Sequence, residues 1–281
     1  MPREAMLHKA AVAALVLLLA GATGCSSMSR KFTFMRPDVS RKSMTQVAPD
    51  YDVRPDKRGA ATLAASERVM LANARLRTGE IDQAETEARA ALKQDPKSAD
   101  AHTILAIIAG QRGQGAQAGV HYAKAAELAP RSGIVLNNYG AWLCENGRAA
   151  ESLDWFDRAL ADPGYGSPAS AQANAGACAL KAGQAPRAER DLRLALEREP
   201  GNATALAAMA QLEFDAGRYL QARAFCERRL AAAPASADVL ALAARIERQL
   251  GDNAAAARYT QQMTSQFPPA AQTQAGDRGT P

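Results

Sequence analysis

Six glycines, Gly79, Gly113, Gly147, Gly183, Gly217 and Gly251, recur at intervals of 34, 34, 36, 34 and 34 residues. Prolines keep the same step at Pro96, Pro130, Pro200, Pro234 and Pro268. A fixed period of about 34 residues is the mark of a stacked helix–turn–helix array. No unit of such an array can bury its apolar stripe alone. Each buries it against its neighbours, and the product is a long curved surface, not a closed pocket. The period therefore favours a binding protein over an enzyme before any site is considered.

The residues around each glycine repeat as well. About seven positions upstream stands a small residue: Ala72, Ala106, Gly140, Gly176, Ala210 and Ala244. About five positions downstream stands another: Ala84, Ala118, Ser152, Ala188, Ala222 and Ala256. Small side chains at both places let two helices cross closely, since a packed interior leaves no spare volume. The glycine between them ends the first helix by accepting a left-handed conformation. The proline ends the second helix, which it cannot continue. Leu71, Leu105, Leu143, Phe156, Leu192, Leu206 and Leu242 fall at helical spacing and fill the seams. No stretch alternates with period two, so no strand is expected. The pattern resembles the tetratricopeptide repeat over about residues 60–268. The resemblance implies an all-α superhelix of six repeats, about 65–98, 99–132, 133–166, 169–202, 203–236 and 237–268. The third repeat departs through a two-residue insertion within Asp162-Pro163-Gly164-Tyr165-Gly166-Ser167-Pro168. The fifth departs through Arg229, where a small residue is usual.

The N-terminus has a different character. Arg3 and Lys9 precede a short apolar run from Ala10 to Ala20, and small residues lead on to Cys25. A membrane span needs about 20 apolar residues, so this is an export signal, 1–24, and not a span. Ala22-Thr23-Gly24-Cys25 resembles a lipobox, which implies that Cys25 is diacylated and becomes the mature N-terminus. Ser26 in place of Asp implies delivery to the outer membrane, facing the periplasm. Acyl chains contribute roughly 0.8 kcal/mol per buried methylene, so several on one cysteine anchor firmly. Residues 25–60 carry eight basic residues and little apolar periodicity, the composition of a flexible tether. As a coil of about 35 residues it would span roughly 30–35 Å. The tail, 269–281, reads as disordered. The formal charge of +5 is mild and forms no basic stripe with interleaved aromatics, so nucleic acid is not an expected partner.

Few residues suggest chemistry. His102 and His121 have no Cys, Asp or Glu at ligand spacing, so neither a metal nor any other cofactor is expected. No nucleophile–base arrangement, phosphate loop or carboxylate pair stands out, and neither catalysis nor a small-molecule substrate is expected. Trp142 and Trp155 read as core, and Asn138 and Asn174 as structural. Cys144 and Cys178 lie one period apart near the ends of adjacent first helices. In an oxidising compartment they are either a disulfide or two small buried hydrophobes. Cys226 reads as a buried free thiol.

In this repeat type the first helix lines the concave face. Its outward positions include Val69, Asn73, Asp100, Thr103, Ile107, Asn137, Ala141, Thr204, Gln211, Phe214, Asp238, Arg245 and Arg248. The mixture has no one dominant charge and suits a protein or an extended peptide better than nucleic acid or an acidic carboxylate tail. Asn73, Ile107 and Asn137 are the expected partner-binding positions, pointing into the groove without building the core.

A narrower resemblance lies in repeats three and four. Leu136-Asn137-Asn138-Tyr139-Gly140-Ala141-Trp142-Leu143-Cys144, Phe156 to Pro163, and Asn174-Ala175-Gly176-Ala177-Cys178 are similar to the PilW/PilF family of type IV pilus biogenesis and stability proteins. Both cysteines stand where some members have them, which strengthens the disulfide reading. The resemblance implies a non-enzymatic, pilotin-like outer-membrane lipoprotein. Its partners would be secretin subunits or other type IV pilus envelope proteins, and its loss would abolish twitching motility. The other reading the residues leave open is a general periplasmic scaffold for peptidoglycan enzymes or outer-membrane protein insertion.

Overall fold

The computed structural model describes residues 56–268. The expected signal, the lipidation site Cys25, the tail and most of the tether lie outside the described residues. Twelve helices and no strand are found among the described residues. They form six pairs: α1 (Lys57–Arg77) with α2 (Ile81–Gln94), α3 (Ala99–Gln111) with α4 (Gly115–Leu128), and α5 (Gly133–Glu145) with α6 (Ala149–Leu160). Then follow α7 (Pro168–Lys181) with α8 (Ala185–Arg198), α9 (Ala203–Asp215) with α10 (Tyr219–Ala232), and α11 (Ala237–Leu250) with α12 (Asn253–Gln266). Each helix packs on its partner and on the next repeat, and successive first helices touch one another along one side. This is the expected all-α tetratricopeptide superhelix. Its first helix starts at Lys57, four residues before the expected boundary at 61, because Asp56 caps it by accepting from the Gly59 amide at 2.7 Å.

The turn inside each repeat is one device used six times. The repeat glycines have φ between 73° and 81°. The amide that follows each of them reaches back to the carbonyl five residues earlier, as Glu80 does to Arg75 at 2.9 Å and Gln184 to Ala179 at 2.8 Å. Only glycine takes that backbone freely, and the bond satisfies a carbonyl that the helix end would leave bare. The second helices stop two residues before Pro96, Pro130, Pro200 and Pro234.

Small residues govern the packing within each repeat. Ala72, Ala84, Ala106, Ala118, Ser152, Ala188 and Ala222 are fully buried where paired helices cross. At Gly140 and Gly176 the partner helix brings a large side chain, Phe156 and Leu192, into the space a β-carbon would take. Larger residues of the following repeat complete each core: Ala88 and Ala91 of the first repeat share a cluster with Ile104, Leu105 and Ile108 of the second. The insertion of the third repeat belongs to this packing. Asp162 accepts from the Gly133 amide at 2.7 Å and from the Gly164 amide at 2.9 Å, so the end of one repeat caps the helix that began it. Tyr165 lies over Gly133, where an added β-carbon would sit 2.6 Å from its side chain.

A test follows from Gly176. A β-carbon there would lie 2.5 Å from Leu192 Cγ and 3.0 Å from its backbone nitrogen, and Leu192 is fully buried. Gly176→Ala should cost about 1–3 kcal/mol in urea unfolding through overpacking. Gly201→Ala, with nothing within 4 Å, should be close to neutral.

Candidate binding surface

The expected partner-binding residues divide in the structure. Asn73 on α1 is exposed and Ile107 on α3 is half-buried. Asn137 on α5 is 8% exposed, and its Oδ1 accepts from Asn174 Nδ2 of α7 at 3.1 Å. Asn137 is therefore corrected from a groove position to a buried link between neighbouring first helices. A buried polar group is retained where it is hydrogen-bonded, and the Asn174 amide supplies the donor for Asn137 Oδ1. Val69 is likewise buried, within the core shared by the first two repeats.

The same two helices carry the sulfurs. Cys144 of α5 and Cys178 of α7 are joined, with S–S 2.08 Å and Cα–Cα 5.8 Å. Cys226 on α10 is free and buried, and burial pushes its thiol pKa up to about 11. Trp142 and Trp155 are half-buried, not full core; both flank Tyr139, and Trp142 Nε1 donates to the Gly115 carbonyl of the preceding repeat at 3.2 Å. Arg158 stacks 4.3 Å above the face of Trp155.

An open recess lies further along the array, where α7, α9 and α11 face one way. Its volume is about 730 Å³, over a floor that includes Ala177, Leu180, Ala207, Ala208 and Leu242. Lys181, Asp215, Asp238 and Arg229 also line it. A neighbouring recess of about 460 Å³ shares Asp215 and adds Phe214, Tyr219, Arg245 and Arg248. Thr204, Gln211, Phe214, Asp238, Arg245 and Arg248 were legible as outward positions; Arg229 was legible only as an anomaly. It replaces the residue that is Ala91, Ala125, Ala159 and Ala195 in the earlier repeats, all fully buried in the joint to the next repeat. A guanidinium does not fit there. Arg229 reaches out to the Ala233 and Pro234 carbonyls and lines the recess. None of Asn73, Ile107 and Asn137 lines either recess.

No group of three or more His, Cys, Asp or Glu able to hold a metal is present among the described residues, and none of their helices is long and apolar enough to cross a membrane. The geometry is that of a scaffold with an open face. Tetratricopeptide-repeat family models match residues 69–132 and 179–246. The type IV pilus assembly protein PilF of Pseudomonas aeruginosa is 28% identical over 193 residues, 69% of this chain and 77% of that protein. The crystal structure of PilW, described as a widely conserved type IV pilus biogenesis factor, is 32% identical, with a TM-score of 0.66 over 74% of this chain and 95% of that one. The chain belongs to the PilW/PilF family. A solved structure of Pseudomonas aeruginosa PilF agrees, at 27% identity and a TM-score of 0.64 over 75% of this chain and 95% of that one.

Within this PilW/PilF-family array the sulfurs and histidines yield two tests. The disulfide spans 34 residues, and chain-entropy arguments give about 4 kcal/mol for a loop of that size. Cys144→Ser with Cys178→Ser should lower stability by a few kcal/mol in urea. In a Cys25→Ser chain, a thiol reagent should count a single slow thiol, Cys226; three thiols would deny the bridge.

His102 Nδ1 of α3 lies 3.0 Å from His121 Nδ1 of α4, a contact between the two helices of one repeat that ligand spacing does not reveal. One ring donates and the other accepts. Burial lowers both pKa values from 6.5, His121 further through His102 and Arg89, His102 further through Lys124, although a backbone bond at Pro96 opposes the shift. The unfolded chain then binds more protons near pH 6, so stability is full above pH 6.5 and falls as pH drops below it. The melting temperature should fall between pH 7.5 and 5.5, and His102→Gln should flatten that dependence.

Proposed function

We propose that the protein is a lipid-anchored outer-membrane factor for type IV pilus biogenesis that promotes assembly and localisation of the secretin through its repeat surface. The observation that carries this reading is the likeness to PilW, 32% identical and spanning 95% of the crystallised chain. The architecture supports a binding role. A repeat array presents a large rigid surface, and a few residues on such a surface give most of the binding energy. The sequence up to Ala22-Thr23-Gly24-Cys25 supports an anchor at the outer membrane, with the protein in the periplasm. An anchor joined to the array through the residues between them raises local concentration near a membrane-embedded partner. Protein subunits of the pilus machine, and no small molecule, are the partners this arrangement serves.

The test uses a strain that lacks the protein, complemented with wild type or with Cys25→Ala. Loss should remove secretin multimers from the outer membrane and abolish twitching motility. Wild type should restore both. Cys25→Ala should take up no fatty-acid label and should restore fewer multimers at equal protein level. Persistence of multimers and motility without the protein overturns the proposal.

A further inference from the structure

The concave side of repeats four to six has a chemistry that the family likeness does not specify. Four cations line the two recesses: Lys181, Arg229, Arg245 and Arg248. Two carboxylates accompany them, Asp215 and Asp238; these balance Lys181 and Arg229 in the larger recess, and the two excess positive charges are Arg245 and Arg248 of the smaller one beside it. Asp215 is already engaged by Gln211 Nε2 at 2.6 Å. Several nearby arginines are paired: Arg187 with Asp157 and Asp191, Arg218 with Glu213, Arg223 with Glu247. None of the four lining cations takes part in an ion pair formed among the described residues. Arg245 lies over the Phe214 ring at 4.3 Å, and Phe214 in turn meets Tyr219 at 5.5 Å between centroids. The arginine is thus held in place with its charge still available, since an aromatic face neutralises nothing.

The floor of the larger recess is apolar and shallow, and the smaller, cationic recess adjoins it at Asp215. Alanines 177, 207 and 208 leave the helix backbones close to the surface, with Leu180 and Leu242 at either side. Packed helices lie about 8–10 Å apart, so three of them span roughly 20 Å, the reach of six or seven extended residues at about 3.3 Å each. A strand-like segment can place apolar side chains on the alanine floor and carboxylates against the cations. A nucleic acid strand fits less well, because Asp215 and Asp238 face its phosphates, and the Phe214 and Tyr219 rings are half-buried with Arg245 over Phe214.

We propose that this recess binds an extended acidic peptide segment with interspersed apolar residues, contributed by a partner protein. The proposal rests on the reading of the array as a protein-binding surface and adds where the partner is held and by what chemistry. Opposite charge speeds encounter and fixes register, and the floor selects against a bare polyanion. Binding weakens with salt, since the cations are at the surface.

The experiment selects a random decapeptide display library on the full-length purified protein and measures the leading peptides by fluorescence anisotropy. Selected peptides should be enriched in both Asp/Glu and apolar residues, and oligoglutamate should bind at least about ten-fold more weakly. Arg245→Glu with Arg248→Glu, both exposed, should leave helicity and melting temperature unchanged. That variant should bind the leading peptides at least about ten-fold more weakly and select peptides without acidic enrichment. Ala207→Leu should weaken binding with the charge unaltered. No enrichment, basic enrichment, oligoglutamate binding as well as the leading peptides, or the same peptides selected by the double variant would overturn the proposal. The assay contains no pilus component. A double variant that loses peptide binding but keeps secretin multimers and motility therefore refutes the secretin reading for this face and leaves the peptide site standing.

Discussion

The close crossing of the two helices in each repeat, through one small residue from each, is the constraint on which everything else rests. Ala72 with Ala84, Ala106 with Ala118 and Ala210 with Ala222 are all within 1% of complete burial. The crossing places the second helix so that its own small residues, such as Ala88 and Ala91, meet large ones of the next repeat. Each unit is incomplete without its neighbour, and the array gains its stability joint by joint. The same geometry leaves one side of every first helix uncovered, and that side is where binding chemistry can be placed without disturbing the core.

The joints are not equivalent, and the differences shape the surface. Repeats three and four are held by the Cys144–Cys178 bridge and by Asn137 with Asn174, and repeat three is closed on itself by an insertion whose Asp162 caps α5. The pairing leaves no room for a partner at Asn137. Between repeats five and six an arginine takes the alanine position of the joint; the apolar cluster of Cys226, Val239, Leu242, Ala243 and Ile246 is joined there by an ion pair from Arg223 to the buried Glu247. Removing one member of such a pair leaves an uncompensated charge. A stiffened centre and a recessed, cationic C-terminal half emerge from a few departures from one repeated pattern.

Those departures explain what could be read from residues alone. The array, its turns, the pairing of helices and the neighbouring positions of Cys144 and Cys178 follow from a period, because local backbone needs and helix crossing act within one unit. The burial of Asn137 does not, since it depends on how closely α7 approaches α5 across a joint that contains an insertion. Tryptophans 142 and 155 were expected in the core on spacing, yet both are half-buried, Trp142 bonded to the Gly115 carbonyl and Trp155 covered by Arg158. The recess was partly visible as outward positions and partly hidden, since Leu180, Lys181 and Leu242 join it only once three repeats are stacked. The two histidines, 19 residues apart, meet because one repeat folds back on itself, and helical spacing along one helix carries no trace of that.

The functional account asks little of individual side chains and much of the surface as a whole. An array of this family supplies breadth, rigidity and a concave side with its own charge pattern, while the proposed anchor supplies place. The most direct measurement is site-specific photocrosslinking in the native envelope, with the probe at Gln211 on the recessed side and, as control, at exposed Asp154 on α6. The account predicts that the Gln211 probe captures a protein of the type IV pilus machine, the secretin first among them, and that the Asp154 probe does not. Capture of the same pilus protein from Asp154 alone, or capture only of peptidoglycan enzymes or outer-membrane insertion factors from Gln211, would contradict it.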